Sequence, residues 1–314
     1  MYYDLCNMRT VRELMEKYSV GTKKSFGQNF LVNPSVPERI AREAVSRAGS
    51  PCGVIEIGPG AGALTQFLAQ EFDRVVAVEL DRGLIPLLGE VLGEYRNVTV
   101  VEGDFLKTDL PAFISDHFSD LIRGGGTVGI CANLPYYITS PVIMKIMESF
   151  DPAGPMPLAF MTFMVQTEVA RRLAAKAGSP DYGAITASIA LRADVEKLFD
   201  VSPGNFMPPP KVTSSVVMFR PHEGIRKFPG APGSPDRISE FDGRVRELIS
   251  LAFGMRRKTL VNALLSKYAR EDVTDALEKA GFRPDIRGEK LSAADFCMLA
   301  SYLSGPEKTD KRPE

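Results

Sequence analysis

Histidine is nearly absent from this chain. Among 314 residues only His117 and His222 are histidine, and neither sits in a motif. That gives a Ser-His-Asp mechanism or a histidine-held metal little to stand on. Cysteine is sparse too. Cys6, Cys52, Cys131 and Cys297 lie far apart with no Cys-x-x-Cys pair, so neither zinc nor a disulfide framework is expected, and a reducing cytoplasm is the expected home. No stretch of about 18 apolar residues occurs, so no membrane span is expected. The amino terminus carries Asp4, Arg9, Arg12, Glu13, Glu16 and Lys17, with no apolar core between them long enough for a signal peptide. A strong charge of either sign is missing as well. The formal net charge is -1, so any nucleic-acid surface must be a local patch.

What is present is ordinary for a globular protein: 44% hydrophobic and 25% charged residues. At this length a sizeable core is expected, in one large domain plus a small one or in two domains. No internal repeat is visible. Residues 11–20 read as a short helix, and a basic loop follows at Lys23 and Lys24. Asn33-Pro34 opens a helix to about Ala48, which Gly49-Ser50-Pro51 ends. The chain then alternates. Strands are expected at Val54–Ile57, Arg74–Glu79, Val98–Val101, Val128–Ala132 and Ala159–Met164. Helices are expected at Ala63–Glu71, Leu84–Tyr95, Pro141–Ser149 and Thr167–Ala177. Such alternation predicts a mostly parallel sheet with helices on both faces and ligands beyond the carboxyl ends of its strands.

Ser214–Phe219 reads as the last strand. This gives a first domain over 1–220, a Pro- and Gly-rich linker over 221–237, an all-helical domain over 238–303 and a disordered tail over 304–314.

Asn133-Leu134-Pro135-Tyr136 closes the apolar run 127–132. The group it suits is the exocyclic amine of adenine, a poor nucleophile because its lone pair is delocalised into the ring. Two acceptors aimed at its two hydrogens draw the nitrogen toward tetrahedral geometry. The Asn133 amide oxygen and the Leu134 main-chain carbonyl can be those acceptors. Pro135 stiffens the turn, and the Tyr136 ring can stack on the base. The competing reading is an ordinary strand-to-loop turn, since Asn and Pro are both turn residues.

Three further strand ends bear on a cofactor. Glu56-Ile57-Gly58-Pro59-Gly60 lets backbone approach a ligand at a helix amino terminus; with Ala63 it also fits the dinucleotide fingerprint. Glu79, about twenty positions on, can accept both hydroxyls of a ribose, which suits NAD as well as S-adenosylmethionine. Asp104 can accept from an adenine amino group. Each acid alone is as readily a helix cap or a solvated loop end. The Asn133 motif separates the cofactors, because hydride transfer has no use for two amine acceptors and a stacking ring.

A nucleic-acid partner is suggested by Phe206, held by the stiff segment Pro208-Pro209-Pro210-Lys211, as a second stacking surface for a flipped base; a core Phe is the plainer reading. Arg256, Arg257 and Lys258 lie within an acid-free stretch from Leu248 to Arg270. With Lys23, Lys24 and the trio Arg171, Arg172 and Lys176 they are candidate phosphate contacts, though a solvated helix face explains any single cluster.

Taken in order, Gly27-Gln-Asn-Phe-Leu31, Glu56-Ile-Gly-Pro-Gly60, Val78-Glu-Leu-Asp81, Gly103-Asp104, Asn133-Leu-Pro-Tyr136, Gln166-x-Glu168, Tyr182-Gly183, Phe206-x-Pro-Pro-Pro-Lys-Val212 and Phe253-x-x-Arg-Arg-Lys-Thr259 make a specific set. From about Lys23 to Leu303 the chain resembles the small-subunit ribosomal RNA adenine dimethyltransferases, the KsgA family. The resemblance implies a Rossmann-like S-adenosylmethionine-dependent methyltransferase domain followed by a small helical carboxyl-terminal domain. It implies two methyl transfers to each of two adjacent adenosines, in a hairpin loop near the 3′ end of 16S-type rRNA within an assembling 30S-type subunit. Carried over by motif, Asn29, Leu31, Gly58, Glu79, Asp104 and Asn133 contact the cofactor, while Asn133, Leu134, Tyr136 and Phe206 hold the adenine. A monomer is expected, with no metal. The stretch from Pro221 to Pro235 is long and Pro-Gly-rich for this family. Three rivals stand beside it: the related enzymes that dimethylate one large-subunit adenosine, a non-catalytic RNA-binding factor, and a DNA adenine methyltransferase.

Overall fold

The computed structural model describes residues 3–20, 29–151 and 156–303; Lys23, Lys24 and the tail from 304 lie outside them. The chain opens with α1 (Met8–Lys17), capped by the Asn7 side chain. The two-residue β1 (Phe30–Leu31) and α2 (Ser35–Val45) follow. The alternating core is β2 (Cys52–Ile57), α3 (Thr65–Glu71), β3 (Arg74–Glu79), α4 (Ile85–Leu92), β4 (Val98–Glu102), α5 (Leu110–Arg123), β5 (Thr127–Asn133), α6 (Thr139–Glu148) and β6 (Phe160–Gln166). Next come α7 (Thr167–Leu173), α8 (Ala184–Ala190), β7 (Ala193–Val201), β8 (Phe206–Met207) and β9 (Ser214–Pro221). Helices α9 (Pro235–Gly254), α10 (Leu260–Leu264), α11 (Arg270–Lys279) and α12 (Ala293–Tyr302) complete the chain.

Seven strands form one sheet in the order β4-β3-β2-β5-β6-β9-β7. The five from β4 to β6 run parallel, and β9 joins β6 antiparallel. The chain moves outward from β2 to β4 on one side and from β5 to β6 on the other, so β2 and β5 flank the switch point, where ligands of such sheets bind. Side chains alternate across the sheet, and β2 shows both faces covered. Val54 packs in one cluster with Ile40 of α2 and Leu68 of α3. The neighbouring Gly53 lies under α5, where an added methyl would fall 2.5 Å from the Phe118 ring. The expected Rossmann-like class is therefore the one observed.

The chain divides into two compact units. The first holds 1–149, 157–170 and 195–221; the second holds 150–156, 171–194 and the chain from His222 onward. This differs from the division expected above at two places. Residues 171–194 fall in the second unit because Tyr182, Ala187 and Leu191 are buried in its core beside Phe241, Leu248 and Phe296. The expected linker is ordered structure. Gly224–Lys227 forms a 3-10 turn, Ile225 is fully buried, and Phe228 packs on the same core. Burying such side chains contributes about 1.5–3 kcal/mol each, enough to fix a Pro- and Gly-rich segment. At α12, Ser292 and Asp295 form a reciprocal capping box, a device worth about 1 kcal/mol. No helix among the described residues is long and apolar enough to cross a membrane.

Candidate active site

A cleft of about 300 Å³ opens at the carboxyl ends of β2, β3, β4 and β5. Its floor is the glycine turn after β2. Gly58 and Gly60 have φ of +67° and +59°, a region L side chains rarely adopt. The Gly58 N–H donates to the Val78 carbonyl at 2.9 Å, closing the turn onto β3. Glu79, at the end of β3, is 6% exposed. Its Oε1 accepts from the Asp81 N–H at 2.7 Å and its Oε2 from the Gly60 N–H at 3.2 Å. One carboxylate thus locks the glycine turn to the neighbouring strand. Burial raises its pKa, and those two N–H groups pull the other way.

Asn133 ends β5 beside this floor. Its Nδ2 donates to the Asn29 main-chain carbonyl at 3.2 Å. The donor end of the amide is thereby engaged, and Oδ1 is left as the end offered to a substrate. Leu134 is buried, and no donor among the described residues bonds its carbonyl. Tyr136 lines the cleft, and its hydroxyl lies 2.8 Å from Ser214 Oγ. Both acceptors expected for an amine therefore border one cleft with the ring expected to stack on its base.

Charge sorts the possible ligands. Glu56, Glu79, Asp81 and Asp104 line the cleft, and no lysine or arginine does among the described residues. A pyrophosphate would be repelled here; a cation would be attracted. Glu56 sits deepest, 1% exposed, and its Oε2 makes no hydrogen bond among the described residues. Burial, helped by the Glu79 carboxylate, pushes its pKa up to about 8. A folded-state value raised in this way makes the stability contribution complete below the unfolded value near 4.5 and lost as pH rises through about 8. At about 1.4 kcal/mol per pH unit, the parent is expected to lose on the order of 5 kcal/mol across that window. Glu56→Gln should flatten the curve of thermal unfolding midpoint against pH; parallel curves would show that Glu56 stays ionised throughout.

The comparisons agree with the geometry. The family model described as ribosomal RNA adenine dimethylase matches residues 20–304. The chain belongs to that family. A ribosomal RNA small subunit methyltransferase A of Anoxybacillus flavithermus is 37% identical over 96% of this chain and 97% of its own length. One of Alkaliphilus metalliredigens is 38% identical over 93% and 96%. Among solved structures, a dimethyladenosine transferase from Plasmodium falciparum is 27% identical with TM-score 0.66, covering 86% of this chain and 95% of that one. The 23S rRNA methyltransferase ErmE is 26% identical with TM-score 0.64, covering 88% and 99%. The chain is thus an S-adenosylmethionine-dependent methyltransferase of the KsgA type, a family whose activity is N6,N6-dimethylation of 16S rRNA adenosines. The acid-lined cleft suits a cofactor that carries positive charge at its sulfur and its amino group.

Within this family site, Asn29, Leu31, Gly58, Glu79, Asp104, Asn133, Leu134 and Tyr136 all border the one cleft. Asp104 also caps the turn that follows it, its Oδ1 accepting from the Leu106 N–H at 3.0 Å. Phe206 departs from expectation. It is 4% exposed and packed with Val36, Ile40 and Met218, with its backbone paired to Leu31; it does not border the cleft. The plainer reading, a core Phe, holds for this structure. Arg256 departs too. Its Nε pairs with Glu289 at 3.0 Å and its Nη2 donates to the Pro180 carbonyl at 2.8 Å, so it clips two loops of the second unit together. Arg257 and Lys258 are exposed on the turn between α9 and α10 rather than on a helix. Leu80 and Tyr137, not expected at the site, border the cleft at 50% and 57% exposure; their position beside Glu79 and Tyr136 is the signal in the sequence.

Proposed function

We propose that this chain dimethylates N6 of two adjacent adenosines in a hairpin loop near the 3′ end of small-subunit rRNA, as a monomer acting on an assembling subunit in the cytoplasm. The orientation of Asn133 is the observation that carries the reading. With Nδ2 spent on Asn29, Oδ1 and the Leu134 carbonyl accept the amine's two hydrogens and release its lone pair. Bound S-adenosylmethionine supplies an electrophilic methyl group on a cationic sulfur. Glu79 accepts the cofactor's ribose hydroxyls, Asp104 its adenine amino group, and the glycine turn lets the backbone come close. Tyr136 stacks on the target base and fixes its plane. No side-chain base is needed, because the methylated amine loses its extra proton to water. Catalysis is positioning plus polarisation.

Incubating the protein with labelled S-adenosylmethionine and, in parallel, unmethylated small subunits and unmethylated large-subunit rRNA, then mapping the products by primer extension, tests the assignment. Label in two neighbouring small-subunit adenosines is expected. Label in a single large-subunit adenosine would move the chain to its rival class, and binding without label would make it an assembly factor.

Affinity for the subunit falls to exposed basic residues of the second unit, which we assign to RNA. Arg257 and Lys258 have no ion-pair partner among the described residues, whereas Arg256 has one. Replacing Arg257 and Lys258 together by alanine is expected to reduce the slope of log affinity against log salt by about 1.5. Arg256→Ala should instead lower the unfolding midpoint and leave that slope nearly unchanged. Equal slopes for all variants would place the phosphates elsewhere.

A further inference from the structure

Ser214 is a polar residue with no obvious business in a core. It begins β9, is fully buried, and stands opposite Gln166, the last residue of β6. Because β9 runs antiparallel to β6, its first residue lies at the edge where the parallel strands end, which is the edge that carries the cleft. Tyr136, three residues beyond the end of β5, reaches across β6 to place its hydroxyl 2.8 Å from Ser214 Oγ. Among the described residues this is the only side-chain hydrogen bond either group makes. A buried hydroxyl without a partner is costly, so each group holds the other in place. The adjacent hydroxyl is committed elsewhere: Ser215 Oγ meets Thr167 Oγ1 at 2.9 Å and donates to Asp200 at 2.5 Å. Burial raises the Tyr136 pKa, so the phenol stays neutral and able to donate.

We infer that Ser214 is a positioning residue for methyl transfer, a latch on the far side of β6 that presets the plane of the Tyr136 ring before the adenine arrives. The inference rests on the reading of Tyr136 as the ring that stacks on the base. It gives the stiff segment Pro208-Pro209-Pro210-Lys211 a task other than presenting Phe206: it delivers Ser214 to the rim at a fixed height. A ring free to turn about its χ angles would pay orientation entropy on each binding event. A latched ring presents its face at once, and the amine then falls in line with Asn133 Oδ1.

A double-mutant cycle tests this, with steady-state methyl transfer to unmethylated small subunits as readout. Ser214→Ala and Tyr136→Phe are each expected to lower kcat/KM for the subunit about tenfold, while the dissociation constant for S-adenosylmethionine stays within about twofold of the parent. The double variant should be no worse than either single one, because both remove the same bond. Ser214→Thr keeps a hydroxyl at the same carbon and should recover most of the loss. Additive losses, or parent-like activity in Ser214→Ala, would overturn the latch. Tyr136→Ala separates stacking from latching. If it lowers kcat/KM by two orders of magnitude while Ser214→Ala does nothing, stacking stands and the latch falls; if it too is parent-like, the stacking reading fails and takes the latch with it.

Discussion

Replacing Asn133 with alanine is expected to lower methyl transfer by about three orders of magnitude and to leave the fold intact. The residue terminates β5 and is partly exposed, so truncation opens no cavity in the sheet. It does remove the acceptor that draws an adenine amine toward tetrahedral geometry. Losing one preorganised polar group at a reacting centre typically costs about 10²–10³ in rate. It also cuts the bond from Nδ2 to the Asn29 carbonyl, which holds Asn29 at the cleft. Asn133→Asp makes a sharper variant. The carboxylate keeps the size and the acceptor, yet it cannot donate to Asn29 and turns an oxygen toward that carbonyl. Activity between that of the parent and that of the alanine variant is expected, because the acceptor survives without its anchor. Single-turnover label transfer, paired with calorimetric titration of the cofactor, reads both effects separately. Near-parent turnover in Asn133→Ala would remove the central element of the proposed mechanism.

The parallel part of the fold was readable in the chain because β2, β3, β5 and β6 are buried on both sides and appear as largely apolar runs, and β4 keeps three valines in five residues. Arg74–Glu79 was bounded correctly, and Thr127–Asn133 and Val98–Glu102 to within one residue at either end. The edge of the sheet was harder. Strand β7 carries Glu196, Lys197 and Asp200 on an outermost strand and looks like a solvated loop when only hydrophobicity is followed. Helix α5 went unassigned although Leu110, Ile114, Phe118 and Leu121 recur at helical spacing and are its buried face. The second unit was mis-bounded for a physical reason: Tyr182, Ala187 and Leu191 bury themselves in a core whose other buried members lie more than about thirty residues further along the chain. No local pattern announces such long-range burial.

At the site, residue types and spacing pointed to acids and an Asn133 motif that line one cleft, since each lies at a strand end. They could not foresee that Phe206 would be spent on packing or Arg256 on Glu289. Phe and Arg serve a core or a clip as readily as a ligand, and only neighbours decide.

Glu79→Gln is expected to weaken S-adenosylmethionine binding by about two orders of magnitude, more than its near-isosteric shape suggests. The carboxylate is acceptor-only, and each oxygen already takes a backbone N–H, from Asp81 at 2.7 Å and Gly60 at 3.2 Å. An ionised carboxylate has lone pairs left on both oxygens for a ribose diol. A carboxamide does not. Whichever way it is turned, its NH2 faces one of the two backbone donors, so one N–H loses its partner and the side chain is pushed from its place. Hydrogen bonds to a charged acceptor contribute about 1.5–3 kcal/mol each; weakening two of them gives the expected loss in affinity. Part of the effect is structural, because the Gly60 bond holds the glycine turn to β3. Glu79→Ala tells the parts apart. It removes the ribose acceptor and both backbone bonds, so it should bind the cofactor poorly and lose more thermal stability than the Gln variant, which keeps one of those bonds. Calorimetric dissociation constants and unfolding midpoints for the pair would decide. Unaltered cofactor affinity in both would mean that this carboxylate serves the turn alone.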